Sequence, residues 1–154
     1  MRFKECGIIT FDMRVVGIDV GARRIGVAIS DATCTLARPL ETIVVGAATD
    51  AVERVAARIA ELAAEDDGVA TIVVGLPRSL DGTPTEMTRA VTAFVGALRA
   101  RTGLRVVTED ERLTSVEAES RLASRERDWK KRKEKLDAAA AAIVLQDYLD
   151  RRPG

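Results

Sequence analysis

Apolar residues follow two rhythms along this chain, and the switches between them mark out a fold. From position 15 to 45 they come as short runs, VVGIDV, RIGVAIS and LETIVV, broken by Gly, Asp and Pro. These predict three strands, 15–20, 24–30 and about 40–45, close enough in sequence to be antiparallel neighbours. Val52, Val55, Ala56, Ile59, Leu62 and Ala63 then recur at steps of three and four ahead of Gly68, predicting a helix over 49–65. TIVVG, 71–75, is a short, wholly apolar strand of the buried parallel kind. Thr83 and Glu86 form a capping box, with Pro84 at the first helical position. They open a helix whose Met87, Ala90, Val91, Phe94 and Leu98 share a face, ended by Gly103. A strand at 104–107 follows, then a second capping box at Thr114 and Glu117 with a helix to about 123. A charged loop over 125–135 leads to an Ala-rich helix from Asp137 to about 150. Three hairpin-linked strands followed by alternation predict an α/β domain: one mixed five-stranded sheet with helices on both faces. Residues 1–12 read as a flexible extension and 13–152 as a single domain, Met13 being an alternative start.

Composition adds exclusions. The chain has 154 residues, 47% hydrophobic and 31% charged, so it is globular, and 3% aromatic, so its core is aliphatic. Lys and Arg balance Asp and Glu at 24 each; affinity for nucleic acid must come from a local patch. No run is long enough for a membrane span, and Cys6 and Cys34 give neither a metal spacing nor a disulfide framework. A reducing cytoplasm is the expected compartment. There is no His, which excludes Ser-His-Asp and Cys-His nucleophile systems and His-ligated zinc. Catalysis must run on carboxylates, Lys, Tyr, hydroxyls or a carboxylate-bound metal.

Four features carry candidate chemistry. Asp19 sits within an apolar strand between Gly17 and Gly21. A carboxylate there either starts the hairpin turn or holds a hard cation. Glu109, Asp110, Glu111 and Arg112 make a self-repelling acidic cluster after a strand, either a solvated turn ahead of a helix or a cation site. Asp137 has the pattern of an N-cap, which leaves it ionised and able to bind metal as well. Residues 125–135, RERDWKKRKEK, hold seven bases against three acids, a local charge of +4, around the only Trp, Trp129. That run is either a solvated surface or a phosphate-backbone contact with one stacked base. The loop 75–82, with Arg78, either links strand to helix or offers amides to a phosphate.

Taken together and in order, GIDVGARRIGVAISD, VVGLPRSLDGTPTE, DERLTSVEAE and KLDAAAAAIVLQDYLD resemble the motif series of the YqgF family, the RuvX-type pre-16S rRNA or Holliday-junction nucleases. The resemblance covers essentially the whole chain from Met13. It implies an RNase H-like fold in which Asp19, Glu111 and Asp137 are catalytic and, with Asp110, bind Mg²⁺ or Mn²⁺. Asp31 is a further acid matching the family pattern. The resemblance implies hydrolysis of a phosphodiester, with Arg24, Arg78, Arg112, Trp129, Lys130, Lys131, Arg132 and Lys133 holding the nucleic acid. One departure stands out: the strand 71–75 ends in Gly-Leu-Pro, where more distant junction resolvases place an acid, so the middle carboxylate falls to Asp110 or Glu111.

The expected step is trimming the 5′ end of pre-16S rRNA, by a monomer or a homodimer with no membrane partner. Resolution of four-way DNA junctions is the alternative within the class. Two rivals lie outside it. One is a catalytically silent RNA-binding ribosome-assembly factor. The other is an actin-like ATPase or sugar kinase, which needs two lobes where 154 residues supply one.

Overall fold

The computed structural model describes residues 13–46, 48–79, 81–110 and 129–151. The extension 1–12 and the predicted helix opening at Thr114 lie outside them. Five strands form one sheet: β1 (Arg14–Val20), β2 (Arg24–Ser30), β3 (Ala37–Val44), β4 (Val69–Leu76) and β5 (Arg105–Asp110). Their order is β3-β2-β1-β4-β5, with β1 antiparallel to β2, β2 antiparallel to β3, and β4 and β5 parallel to β1. Three helices complete the described fold: α1 (Ala48–Ala63), α2 (Glu86–Thr102) and α3 (Trp129–Arg151). The architecture is the predicted one.

The two faces of the sheet are built differently. Val16 and Ile18 of β1, Ile25, Val27 and Ile29 of β2, and Ile72 and Val74 of β4 bury large side chains against Val55, Ile59 and Leu62 of α1 and Val91, Phe94 and Leu98 of α2. The alternate positions, Val15, Ala28 and Val73, meet Ala141, Val144, Leu145 and Leu149 of α3. On that side two glycines bring helix and sheet into backbone contact. A Cβ on Gly17 would lie 2.7 Å from Leu145 Cβ and 2.9 Å from the Ala141 carbonyl oxygen.

Four predicted boundaries are corrected. The run 129–135 is not loop but the opening of α3, so Asp137 lies inside a helix and is not its N-cap. Lys, Arg and Glu are good helix formers, and a helix anchored by its apolar end extends through them. Strand β5 runs on to Asp110, with Glu109 opposite Gly75 and Asp110 opposite Leu76, so these two acids belong to the sheet. The capping box of α2 uses Thr85 and Thr88: the Thr85 hydroxyl accepts from the Thr88 amide, and the Thr88 hydroxyl accepts from the Thr85 amide. Thr83 is already engaged, its amide and hydroxyl both donating to Asp81 Oδ1. Finally, β3 starts at Ala37, earlier than predicted, as the edge partner of β2.

One charged side chain is structural. Arg14 is buried at the start of β1, where its Nε donates to the Gly68 carbonyl (3.1 Å) and Nη2 to the Leu62 carbonyl (2.9 Å) and Glu65 (3.0 Å). It thereby satisfies carbonyls at and beyond the end of α1. Among the described residues no helix is long and apolar enough to cross a membrane. Replacing Arg14 by Met keeps the length but removes all three guanidinium bonds, leaving the Leu62 and Gly68 carbonyls with only the backbone amides of Glu65 and Arg14. The variant should lose about 2 kcal/mol of stability in urea titrations.

Candidate metal and nucleic-acid site

The carboxyl ends of β1, β4 and β5 point the same way, and the candidate residues collect there, as the topology of such sheets favours. Asp19 is the sixth residue of β1 and half-buried. Alternation puts it on the same face as Gly17, the face that α3 covers. Its partner across the antiparallel ladder is Gly26, which shares that face.

Gly26 decides where Asp137 sits. A Cβ on Gly26 would lie 1.9 Å from the Asp137 carbonyl oxygen and 3.0 Å from the Ala138 amide nitrogen. The helix backbone at Asp137 therefore occupies the space that any side chain at position 26 would fill, directly beside the Asp19 row. Asp19 and Asp137, separated by most of the chain, are brought to one end of one face. Arg24, two residues before Gly26 and on the same face, donates from Nε to Asp137 Oδ2 at 2.9 Å. Both side chains are partly buried, with 30% and 25% of their surfaces exposed, so the pair is better shielded than a surface salt bridge.

The acids of β5 divide between the faces. Glu109, two residues after Val107, lies on the α3 side and is 7% exposed. Its Oε2 is 2.9 Å from an Arg151 nitrogen without a hydrogen-bonding angle. Burial pushes its carboxyl upward, partly countered by the Arg151 charge and reinforced by Asp147 and Asp110. Asp110 alternates to the other face, with Val106. Glu111 and Arg112 lie outside the described residues. Arg78 follows β4 at the same end of the sheet and is half-buried, Nη1 donating to the Gly82 carbonyl at 3.4 Å. Trp129, Lys130, Lys131, Arg132 and Lys133 form the first turns of α3, on the same helix as Asp137.

Asp31 does not join this group. It stands past the far end of β2, where its carboxylate accepts from the Thr33 hydroxyl and the Thr35 and Leu36 amides. Slight burial works against its charge, but those bonds prevail and hold its pKa below the usual range. It is a loop organiser.

Carboxylates are the donor type that suits a hard divalent cation, and backbone packing brings the residues that carry two of them to one end of one face. Among the described residues no group of three acids, Cys or His is close enough to hold a metal. Glu111 lies outside the described residues, which bring Asp19 and Asp137 to one end of one face. Two residues were not singled out from the sequence. Gly26, a glycine inside an apolar strand, is a signal of close backbone approach. Glu109 was visible only as one acid among several.

A half-parallel sheet in this order, covered on both faces, with carboxylates at the carboxyl end of its central strand, defines an RNase H-like domain. The chain is similar in fold to Thermus thermophilus RuvC: TM-score 0.52 and 19% identity, over 89% of this chain and 94% of that one. It belongs to the RuvX family, described as Holliday junction resolvase, whose model matches residues 13–151. A relative from Chloroflexus aggregans, named "Putative pre-16S rRNA nuclease", is 46% identical over 92% of this chain and 96% of its own length. One of the same name from Anaeromyxobacter dehalogenans is 43% identical over 91% and 98%. Membership of this family removes the kinase reading.

The Gly26 seat gives a direct test. Gly26→Ala must displace α3 or the strand, because the clash is with backbone. It should cost about 2–4 kcal/mol in chemical denaturation. Gly96, exposed on α2 with nothing within 4 Å of where a methyl group would stand, is the control. Gly96→Ala should stabilise by about 0.5–1 kcal/mol.

Proposed function

We propose that this chain is a metal-dependent nuclease that hydrolyses a phosphodiester at the 5′ end of pre-16S rRNA in the cytoplasm. The observation that carries the reading is the seating of the Asp137 backbone on Gly26, in the Asp19 row, in a chain of the RuvX family. Asp19 and Asp137, completed by Glu111, would hold Mg²⁺ or Mn²⁺; Asp110, aimed at the other face of β5, would join them only around the end of that strand. Such an ion, when bound, supplies Lewis acidity and lowers the pKa of a water, which a site without His otherwise lacks.

The remaining work falls to the chain's own groups. Asp19 comes from the central strand, paired with Gly26 of β2 and directly after Ile18, the last residue that β1 pairs with β4, so its carboxylate is presented from an anchored backbone. Asp137 is fixed through its main chain. Arg24, Arg78 and Arg112 are proposed to hold phosphates near the cleaved bond. Lys130, Lys131, Arg132 and Lys133 extend that grip along the backbone, and Trp129 stacks on a base. Trimming an end needs one active site, which a monomer supplies; paired cuts in a four-way junction need two. The family's description favours the junction as the second reading.

Labelled pre-16S rRNA and a four-way DNA junction, each with Mg²⁺, Mn²⁺ or EDTA, separate these outcomes. Metal-dependent cleavage of the RNA is expected. No cleavage of either, with retained RNA binding, would make the protein a silent assembly factor. Asp19→Asn and Asp137→Asn should each fold and lose at least about a hundredfold in cleavage rate. Because Asp137 is a mid-helix residue, its loss removes no cap, and wild-type turnover by that variant would remove it from the site.

The basic turns should govern affinity. Alanine at positions 130–133 should flatten the dependence of log K on log salt by about 0.7 for each phosphate left without its cation. An unchanged slope in binding titrations would make these turns a solvated surface. Trp129→Ala should weaken single strands more than duplexes.

A further inference from the structure

We propose that Arg24 is a built-in counter-ion for the Asp19–Asp137 carboxylates, holding them together without metal and, by the same charge, lowering their affinity for it. The inference rests on the reading of Asp19 and Asp137 as metal ligands. Packing creates the need for it. The Asp137 carbonyl sits where a Gly26 side chain would be, so the helix backbone at that point has no room to move closer to the sheet. The tight fit at Gly17, two residues along β1 from Asp19, fixes the same helix further on. That packing gathers two acidic residues, Asp19 and Asp137, at one end of one face, and like charges gathered in partly buried surroundings repel each other.

Arg24 meets this need from a preset position. It is the first residue of β2, and its carbonyl accepts from the Gly21 amide at 2.9 Å, closing the hairpin that begins just past Asp19. Its side chain shares the face of Gly26 and Ala28, which is where α3 lies. The Nε donates to Asp137 Oδ2 at 2.9 Å. The guanidinium thus stands in for part of the charge a divalent cation brings, and it remains beside the site when that cation arrives. Removing it should loosen the metal-free site and tighten the metal-bound one.

The test is isothermal calorimetry of Mn²⁺ binding, with thermal melts in EDTA and in saturating Mn²⁺. It uses the full chain and its Arg24→Gln, Arg24→Lys and Asp137→Asn variants. Arg24→Gln should melt a few degrees below wild type in EDTA, recover that difference in Mn²⁺, and bind Mn²⁺ at least about threefold more tightly. Arg24→Lys keeps the charge and should track wild type in both measurements. Mn²⁺ affinity of Arg24→Gln equal to or weaker than wild type overturns the proposal. Should Arg24→Gln be unfolded in EDTA, recovery of its folded circular-dichroism spectrum with Mn²⁺ supports the proposal, and no recovery overturns it. Asp137→Asn isolates the underlying reading. If it binds Mn²⁺ as wild type does, Asp137 is no ligand. If it loses Mn²⁺ while Arg24→Gln is unchanged, only the counter-ion role falls.

Discussion

The contact between the backbone of α3 and the two glycines beneath it is the constraint on which the rest of the site depends. Helices normally stand off a sheet by the thickness of two side-chain layers. Here Gly17 and Gly26 remove one layer, so Leu145, Ala141 and Asp137 rest almost on the strands. The Ala-rich composition of α3 is the matching half of the arrangement, since Ala138 and Ala141 add little bulk on the buried side. What results is a helix whose depth is set by main-chain atoms, which have no rotamers to adjust. Precision at Asp137 follows from that.

Around this contact, charges are arranged in two distinct ways. Arg14 is spent on stability: a buried guanidinium that joins the start of β1 to carbonyls at the end of α1. Arg24 and Arg151 face carboxylates on the side covered by α3, at the end where the parallel strands finish. Arg14 holds the opposite end of β1 from Asp19. The end of the sheet that supports the fold and the end that gathers acids are therefore held by different residues.

Much of this was legible in the sequence, and the exceptions share a cause. The strands, the helix positions and the mixed sheet follow from periodicity, because burial of one face imposes it. Asp19 was legible because an acid inside an apolar run is costly. The start of α3 was not, since a run of charged residues without a core-facing rhythm looks the same whether helical or coiled. Asp137 consequently looked like a cap, and only the register of α3 shows it as an interior residue lying against Gly26. The division of Glu109 and Asp110 between faces was also hidden, because it depends on β5 continuing for a few residues past its apolar stretch. Local pattern carries secondary structure; the meeting of residues 26 and 137 does not appear in it.

The unequal faces of the sheet also set how this protein can be altered. Against α1 and α2, packing is between flexible aliphatic side chains such as Ile18, Ile59 and Leu98, where a change of volume at one position can be absorbed by its neighbours. Against α3, Gly17 and Gly26 meet atoms that cannot rotate away. Mutational tolerance should thus be lopsided: a library with a diversified core should yield many folded members on the first face and few on the second. An engineer seeking a more heat-stable form has one side of the molecule to work with, and the other is best left untouched.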